Sequence, residues 1–323
     1  MYKHTSILTS RLSTHALAGR ALYSSSARAI KRVAVVGGGQ MGAGIAQVSA
    51  TFEHSVTLID VNSEALDRGK QYMAKSLARV AKKKFPEQAN VASEWVASVL
   101  GRVRSTTNLA EGVKDVDLAV EAVVENISVK QKLFGDLAQA APKHCLLASN
   151  TSSLPIGRIA EHLGPARART LGLHFFNPVA QMKLVEVVRA QETSEQAVES
   201  ALAFVRAIGK TPAVCSDTPG FIVNRLLLPY MMEAVRMLER GVAEAKDIDT
   251  AMKLGAGYPM GPFELCDYVG LDTLKYITDG WFKEGQGLKG DKAFAPSKTL
   301  DELVAAGHLG VKTGRGFYDY SKK

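Results

Sequence analysis

With 323 residues, the chain is long enough for two domains that each bury a core. Hydrophobic residues at 46% and charged residues at 22% are ordinary globular values, and no apolar run approaches the ~18 residues that cross a bilayer. The net charge of +8 is unevenly placed: Lys3, Arg11, Arg20, Arg28, Lys31 and Arg32 fall in the first 32 residues, which hold no acid, so only about +2 remains beyond them. That near-neutral remainder argues against a nucleic-acid-binding body. Cys145, Cys215 and Cys266 are odd in number and far apart, which excludes a disulfide framework or metal-ligand spacing and suggests buried thiols.

In chain order, residues 1–31 come first. Arg-rich, Ser-rich and acid-free, they have the composition of a mitochondrial transit peptide, with removal expected around residues 23–29. Next, "RVAVVGG" reads as a buried strand, "GAGIAQVSATF" as a helix and "SVTLID" as a second strand. Further strands are expected at 116–123, 145–149, 170–176 and 183–188. The alternation predicts an α/β, Rossmann-type fold with a doubly wound parallel sheet over residues 32–216. The 55 residues between Asp60 and Val116 far exceed a simple crossover. They read as a helical hairpin inserted at about 63–103, basic in its middle ("AKSLARVAKKKF"). After "CSDTPGFIVNR" the pattern turns all-helical, so residues 217–323 form a second, all-α domain.

The first strand ends in G-x-G-x-x-G at Gly37, Gly39 and Gly42, directly before a helix, as a dinucleotide site requires. Gly37 permits the tight turn, Gly39 the approach of a pyrophosphate and Gly42 close helix–strand packing. The diphosphate would sit on the positive end of the helix. Asp60, 18 residues after Gly42, can accept from adenosine ribose hydroxyls and repels a 2′-phosphate, while Val61, Asn62 and Ser63 supply no arginine. NAD is therefore preferred to NADP; FAD shares the fingerprint.

"ASNTSSLPI" and "LHFFNPV" each follow a strand, so their polar residues emerge at the carboxyl end of the sheet, where doubly wound folds bind ligands. Glu186 lies among valines, and a carboxylate there is costly to bury unpaired. His174 is its natural partner: a group on one ring nitrogen lets the other act as a base. The remaining histidines of the globular part, His54, His144, His162 and His308, read as structural.

The blocks "GGGQMGAGIA", "SNTSSL", "LHFFNPV", "MKLVEV", "DTPGFIVNR", "AMKLGAGYPMGPFEL" and "KTGRGFY" occur in order. From about Arg32 to Tyr320 the chain resembles the monofunctional, short- or medium-chain L-3-hydroxyacyl-CoA dehydrogenases of mitochondrial beta-oxidation. The resemblance implies His174 as general base, Glu186 as the carboxylate orienting it, and Ser152 and Asn224 as polar groups at the reacting centre. It implies NAD contacts at Asp60, Glu125, Lys130, Ser152, Asn177 and Lys312, and coenzyme A contacts at Ser76 and Lys83 on the hairpin. It also implies an acyl-CoA substrate, a matrix location and a homodimer through the apolar stripes of the C-terminal helices, without nucleic acid or membrane insertion. Two other readings stand beside it: a hydroxy-acid or gulonate-type dehydrogenase with a smaller substrate, and a catalytically idle NAD-binding protein. The lysines of the hairpin speak against the first, and the intact His174, Glu186, Ser152 and Asn224 against the second.

Overall fold

A computed structural model describes residues 27–321, so most of the expected leader lies outside the described residues. The folded body starts slightly earlier than expected: the Arg28 N–H donates to Ser200 Oγ at 2.9 Å, and Ile30 is buried. The chain divides after Ser216 into two units.

In the first unit, strands β1 (Arg32–Val36), β2 (Ser55–Ile59), β3 (Val103–Thr106), β4 (Leu118–Glu121), β5 (Leu146–Ser149), β6 (Thr170–Phe175), β7 (Leu184–Arg189) and β8 (Thr211–Ser216) form one sheet in the order β3-β2-β1-β4-β5-β6-β7-β8. The helices are α1 (Gln40–Thr51), α2 (Ser63–Lys84), α3 (Ala89–Gly101), α4 (Leu109–Val113), α5 (Ile127–Ala140), α6 (Ile156–Ile159) and α7 (Glu195–Ala207). The central strands are valine- and leucine-rich and buried on both faces, as parallel strands covered by helices must be. Between β1 and β4 the winding reverses, which opens a crevice at the carboxyl ends of those strands.

Two features depart from a wholly parallel sheet. β7 runs antiparallel to β6, with His174 directly opposite Glu186 in the register, and β8 then pairs parallel to β7. β3 and β8 were not expected as strands. Both are edge strands of mixed polarity, and β8 contains Pro212, so neither carries the continuous apolar run of a central strand.

The inserted hairpin is present as α2 and α3, and it ends at Gly101, two residues before β3. The Asn62 side chain caps α2 by accepting from the Glu64 N–H. Near the tip Phe85 meets Trp95 edge-on, with the Lys84 ammonium 4.8 Å from the Trp95 ring centre. Of the cysteines, Cys145 and Cys266 are buried as expected, whereas Cys215 on edge strand β8 is only half-buried.

The second unit is helical, with α8 (Val223–Glu239), α9 (Ala245–Gly255), α10 (Pro262–Val269), α11 (Leu271–Glu284) and α12 (Lys298–Ala305). Met232, Leu271, Leu274 and Phe294 centre its larger apolar cluster, where Trp281 packs edge-on against Phe294. No described helix is long and apolar enough to cross a membrane.

Candidate active site

The glycine turn is built as its spacing implies. Gly37 has φ +115°, and a Cβ there would lie 2.4 Å from the Ala122 carbonyl oxygen. A Cβ on Gly42 would come within 1.9 Å of the Gly37 oxygen, so α1 lies against its own turn. Around Gly39, by contrast, a Cβ would meet no protein atom within 4 Å. That open space, at the N-terminus of a twelve-residue helix, is where a diphosphate fits.

Both oxygens of Asp60 hold its own loop, accepting from the Gly38 N–H at 2.7 Å and the Asn62 N–H at 3.0 Å. A groove of about 680 Å³ runs beside them, with mostly apolar walls that include Gly37, Gly39, Asp60, Val61, Thr107 and Val123. An adenosine suits such a groove, with Asp60 at the level of the ribose. The residues present therefore fit NAD.

A second polar cluster follows β4 and β5. Glu125 accepts from the hydroxyls of Thr151 (2.5 Å) and Ser153 (3.0 Å) and from the Ser152 N–H (3.3 Å). Burial pushes this carboxyl up, but the Lys130 ammonium and those hydroxyls outweigh it and hold it below the ordinary carboxylate range.

Lys130, expected to touch NAD, is 1% exposed and pairs with Glu121 at 2.5 Å and with Glu125 at 3.2 Å, which places its ammonium beside the Glu125 cluster. Sequence reasoning missed Glu121, although a carboxylate inside the apolar run "VDLAVEAV" was the same signal that marked Glu186. It also missed Asn150, whose side-chain oxygen accepts from the Phe175 N–H at 2.8 Å and so ties the ends of β5 and β6.

On β6, His174 Nδ1 lies 2.7 Å from Glu186 Oε2, with His174 6% exposed and Glu186 fully buried. The reversed strand β7 makes the contact: antiparallel register places the two side chains opposite each other on one face. A carboxylate at that distance keeps the proton on Nδ1, which makes Nε2 the proton-accepting nitrogen. Beyond it, the Asn177–Pro178 peptide is cis, and Asn177 Oδ1 accepts from Gln40 Nε2 at 3.1 Å, beside the glycine turn. Lys210 supports this loop by donating to the carbonyls of Val179 and Met182, both at 2.5 Å.

The two hairpin residues share a face of α2 but differ in exposure. Lys83 is exposed near the end of α2, while Ser76 is 8% exposed on the buried side between Met73 and Leu77. In the second unit, Asn224 lies in the first turn of α8, and Lys312 is held by Asp272 at 2.6 Å. Among the described residues no group of side chains is arranged to hold a metal ion.

A helix N-terminus open to a diphosphate, on the same sheet edge as a buried imidazole–carboxylate pair, defines a nicotinamide-dependent dehydrogenase. Residues 32–218 match the family model described as "3-hydroxyacyl-CoA dehydrogenase, NAD binding domain" and residues 220–320 that of its C-terminal domain, so the chain belongs to the 3-hydroxyacyl-CoA dehydrogenase family. It is 52% identical over 291 residues to the human protein "Hydroxyacyl-coenzyme A dehydrogenase, mitochondrial", covering 90% of this chain and 91% of that one. A Bacillus subtilis "Probable 3-hydroxybutyryl-CoA dehydrogenase" is 43% identical, with 91% and 99% covered. The crystal structure of (S)-3-hydroxybutyryl-CoA dehydrogenase from Ralstonia eutropha superposes with a TM-score of 0.84 at 37% identity, covering 91% of this chain and all of that one. The chain is accordingly an oxidoreductase that oxidises hydroxyacyl-CoA with NAD as cofactor.

Proposed function

We propose that this enzyme converts (S)-3-hydroxyacyl-CoA to 3-oxoacyl-CoA in the mitochondrial matrix, as a step of fatty acid beta-oxidation, with His174 as general base and Glu186 orienting it. The observation that carries the reading is the 2.7 Å contact between these two buried side chains at the carboxyl end of the sheet. Bound NAD supplies the hydride acceptor. His174 Nε2 takes the proton of the 3-hydroxyl as C3 gives up its hydride, and Glu186 stabilises the imidazolium that forms. A positioned base of this kind accelerates the step about 10²–10⁴-fold. Ser152 holds the substrate oxygen so that proton and hydride leave in aligned directions. Gly37, Gly39, Gly42, Asp60, Glu125, Lys130, Ser152 and Asn177 form the NAD site.

Lys83 suits the phosphates of coenzyme A as an exposed point charge, and Ser76 lies two turns earlier on the same face of α2. The relatives named mitochondrial and the basic, acid-free leader together support a transit peptide within residues 1–31. Leu226, Leu254 and Tyr276 stand well exposed on the C-terminal helices, which supports a homodimer formed through them.

NADH formation from 3-hydroxybutyryl-CoA and from free 3-hydroxybutyrate tests the substrate reading. The thioester should be preferred by orders of magnitude in kcat/KM. Equal turnover of the free acid would assign a small hydroxy acid instead, and no turnover of either an idle binding protein.

A further inference from the structure

Glu121 has no part in the proton transfer, yet it is as fully buried beside the site as Glu186. As the last residue of β4 it is fully buried, and both of its oxygens are engaged. Oε1 accepts from the Val123 N–H (2.7 Å) and the Lys130 ammonium (2.5 Å), and Oε2 accepts from the Ser149 hydroxyl (2.6 Å). Ser149 Oγ in turn accepts from the Thr151 N–H (3.2 Å), and the Glu121 carbonyl accepts from the Asn150 N–H (2.8 Å). Lys130 reaches onward to Glu125. One carboxylate therefore touches, directly or through one partner, the loop after β4 that carries Glu125 and the loop after β5 that carries Ser152.

Stability does not account for this arrangement. Taking ions out of water costs several kcal/mol each in practice, and an apolar pair of similar volume is often as stable or more so. Here two carboxylates share one ammonium, at 2.5 Å from Glu121 and 3.2 Å from Glu125. What ions add over an apolar filling is direction: each oxygen and each ammonium proton fixes a partner along a defined line.

We propose that Glu121 is a positioning residue for the dehydrogenase reaction: with Lys130 and Ser149 it locks the Glu125 loop to the Ser152 loop. The inference rests on the reading of Glu125 and Ser152 as site residues.

The test uses the full-length protein. Glu121→Gln keeps the shape and removes the charge. It should lower kcat for 3-hydroxybutyryl-CoA at least about tenfold, the scale of one charge-assisted hydrogen bond. It should also weaken NADH binding severalfold, read by the fluorescence of bound NADH. Ser149→Ala leaves no buried charge unpaired, and it should lower kcat about threefold while the KM of the thioester stays within about twofold. The inference requires the Ser149→Ala effect whether or not Glu121→Gln folds. Unchanged kcat in Ser149→Ala, or a Glu121→Gln enzyme with a lower unfolding midpoint but wild-type kcat and NADH affinity, would make the network merely structural. Ser152→Ala and Glu125→Gln, measured alongside, separate the two failures. If both are silent, the reading of the site falls; if both impair the enzyme, only the role of Glu121 falls.

Discussion

The proposed chemistry has one carboxylate set one imidazole. Glu186 is fully buried 2.7 Å from His174 Nδ1, and replacing it by glutamine keeps a hydrogen-bonding group while removing the charge that favours the imidazolium. Glu186→Gln should lower kcat about 10²-fold or more, as wrong-tautomer variants of other His–carboxylate pairs do. His174→Gln should lower it about 10³-fold with NADH affinity within twofold of the parent, because in the proposed mechanism His174 serves the proton transfer and not the cofactor site. Stopped-flow turnover with NADH titration checks both, and loss of NADH binding in step with kcat would point to a collapsed site. The pair was legible because a charged residue among valines demands a partner. Glu121, between Val120 and Ala122, carries the same signature, yet its partner Lys130 enters from the following helix and nothing in the strand announces it.

Among the elements, strand–helix–strand alternation and the glycine spacing were enough to locate β1, α1 and β2 and the ligand end of the sheet. The glycines allow stability and binding to be separated. Gly42→Ala puts a Cβ 1.9 Å from the Gly37 oxygen and should cost about 1–3 kcal/mol in denaturant unfolding together with NADH affinity. Gly39→Ala meets no protein atom, and its φ of −68° suits alanine, so stability should hold while NADH affinity falls at least about tenfold. Retained affinity in Gly39→Ala would move the diphosphate elsewhere. The reversal of β7 was not legible, since an apolar run reads alike in either direction, and that reversal seats Glu186 opposite His174. The inward turn of Ser76 was visible in principle: Leu66, Gly69, Met73, Ser76 and Leu77 repeat at helical spacing, and that stripe is buried.

Across the whole molecule, the turn at Asp217–Gly220 marked the change from sheet to helices, and the chain divides into two units after Ser216. What no pattern revealed is how the second unit fastens its own end. Buried Asp267 accepts from the Phe317 and Tyr318 N–H groups, while the Tyr318 hydroxyl donates to buried Asp249 at 2.7 Å. Burial, reinforced by Asp249, pushes the Tyr318 phenol well up, so it stays a donor across the working range. Tyr318→Phe should cost about 1.5–3 kcal/mol, read as a lower unfolding midpoint, whereas an unchanged midpoint would show that this bond adds nothing. Carboxylates anchoring a tail 51 and 69 residues away leave no periodic trace in sequence. The most direct test of the whole account is a crystal structure of the enzyme with NAD and acetoacetyl-CoA. The account requires the C3 oxygen within about 3 Å of His174 Nε2, on the nicotinamide side of the sheet edge. A C3 oxygen beyond the reach of His174, with the thioester otherwise ordered, would contradict it.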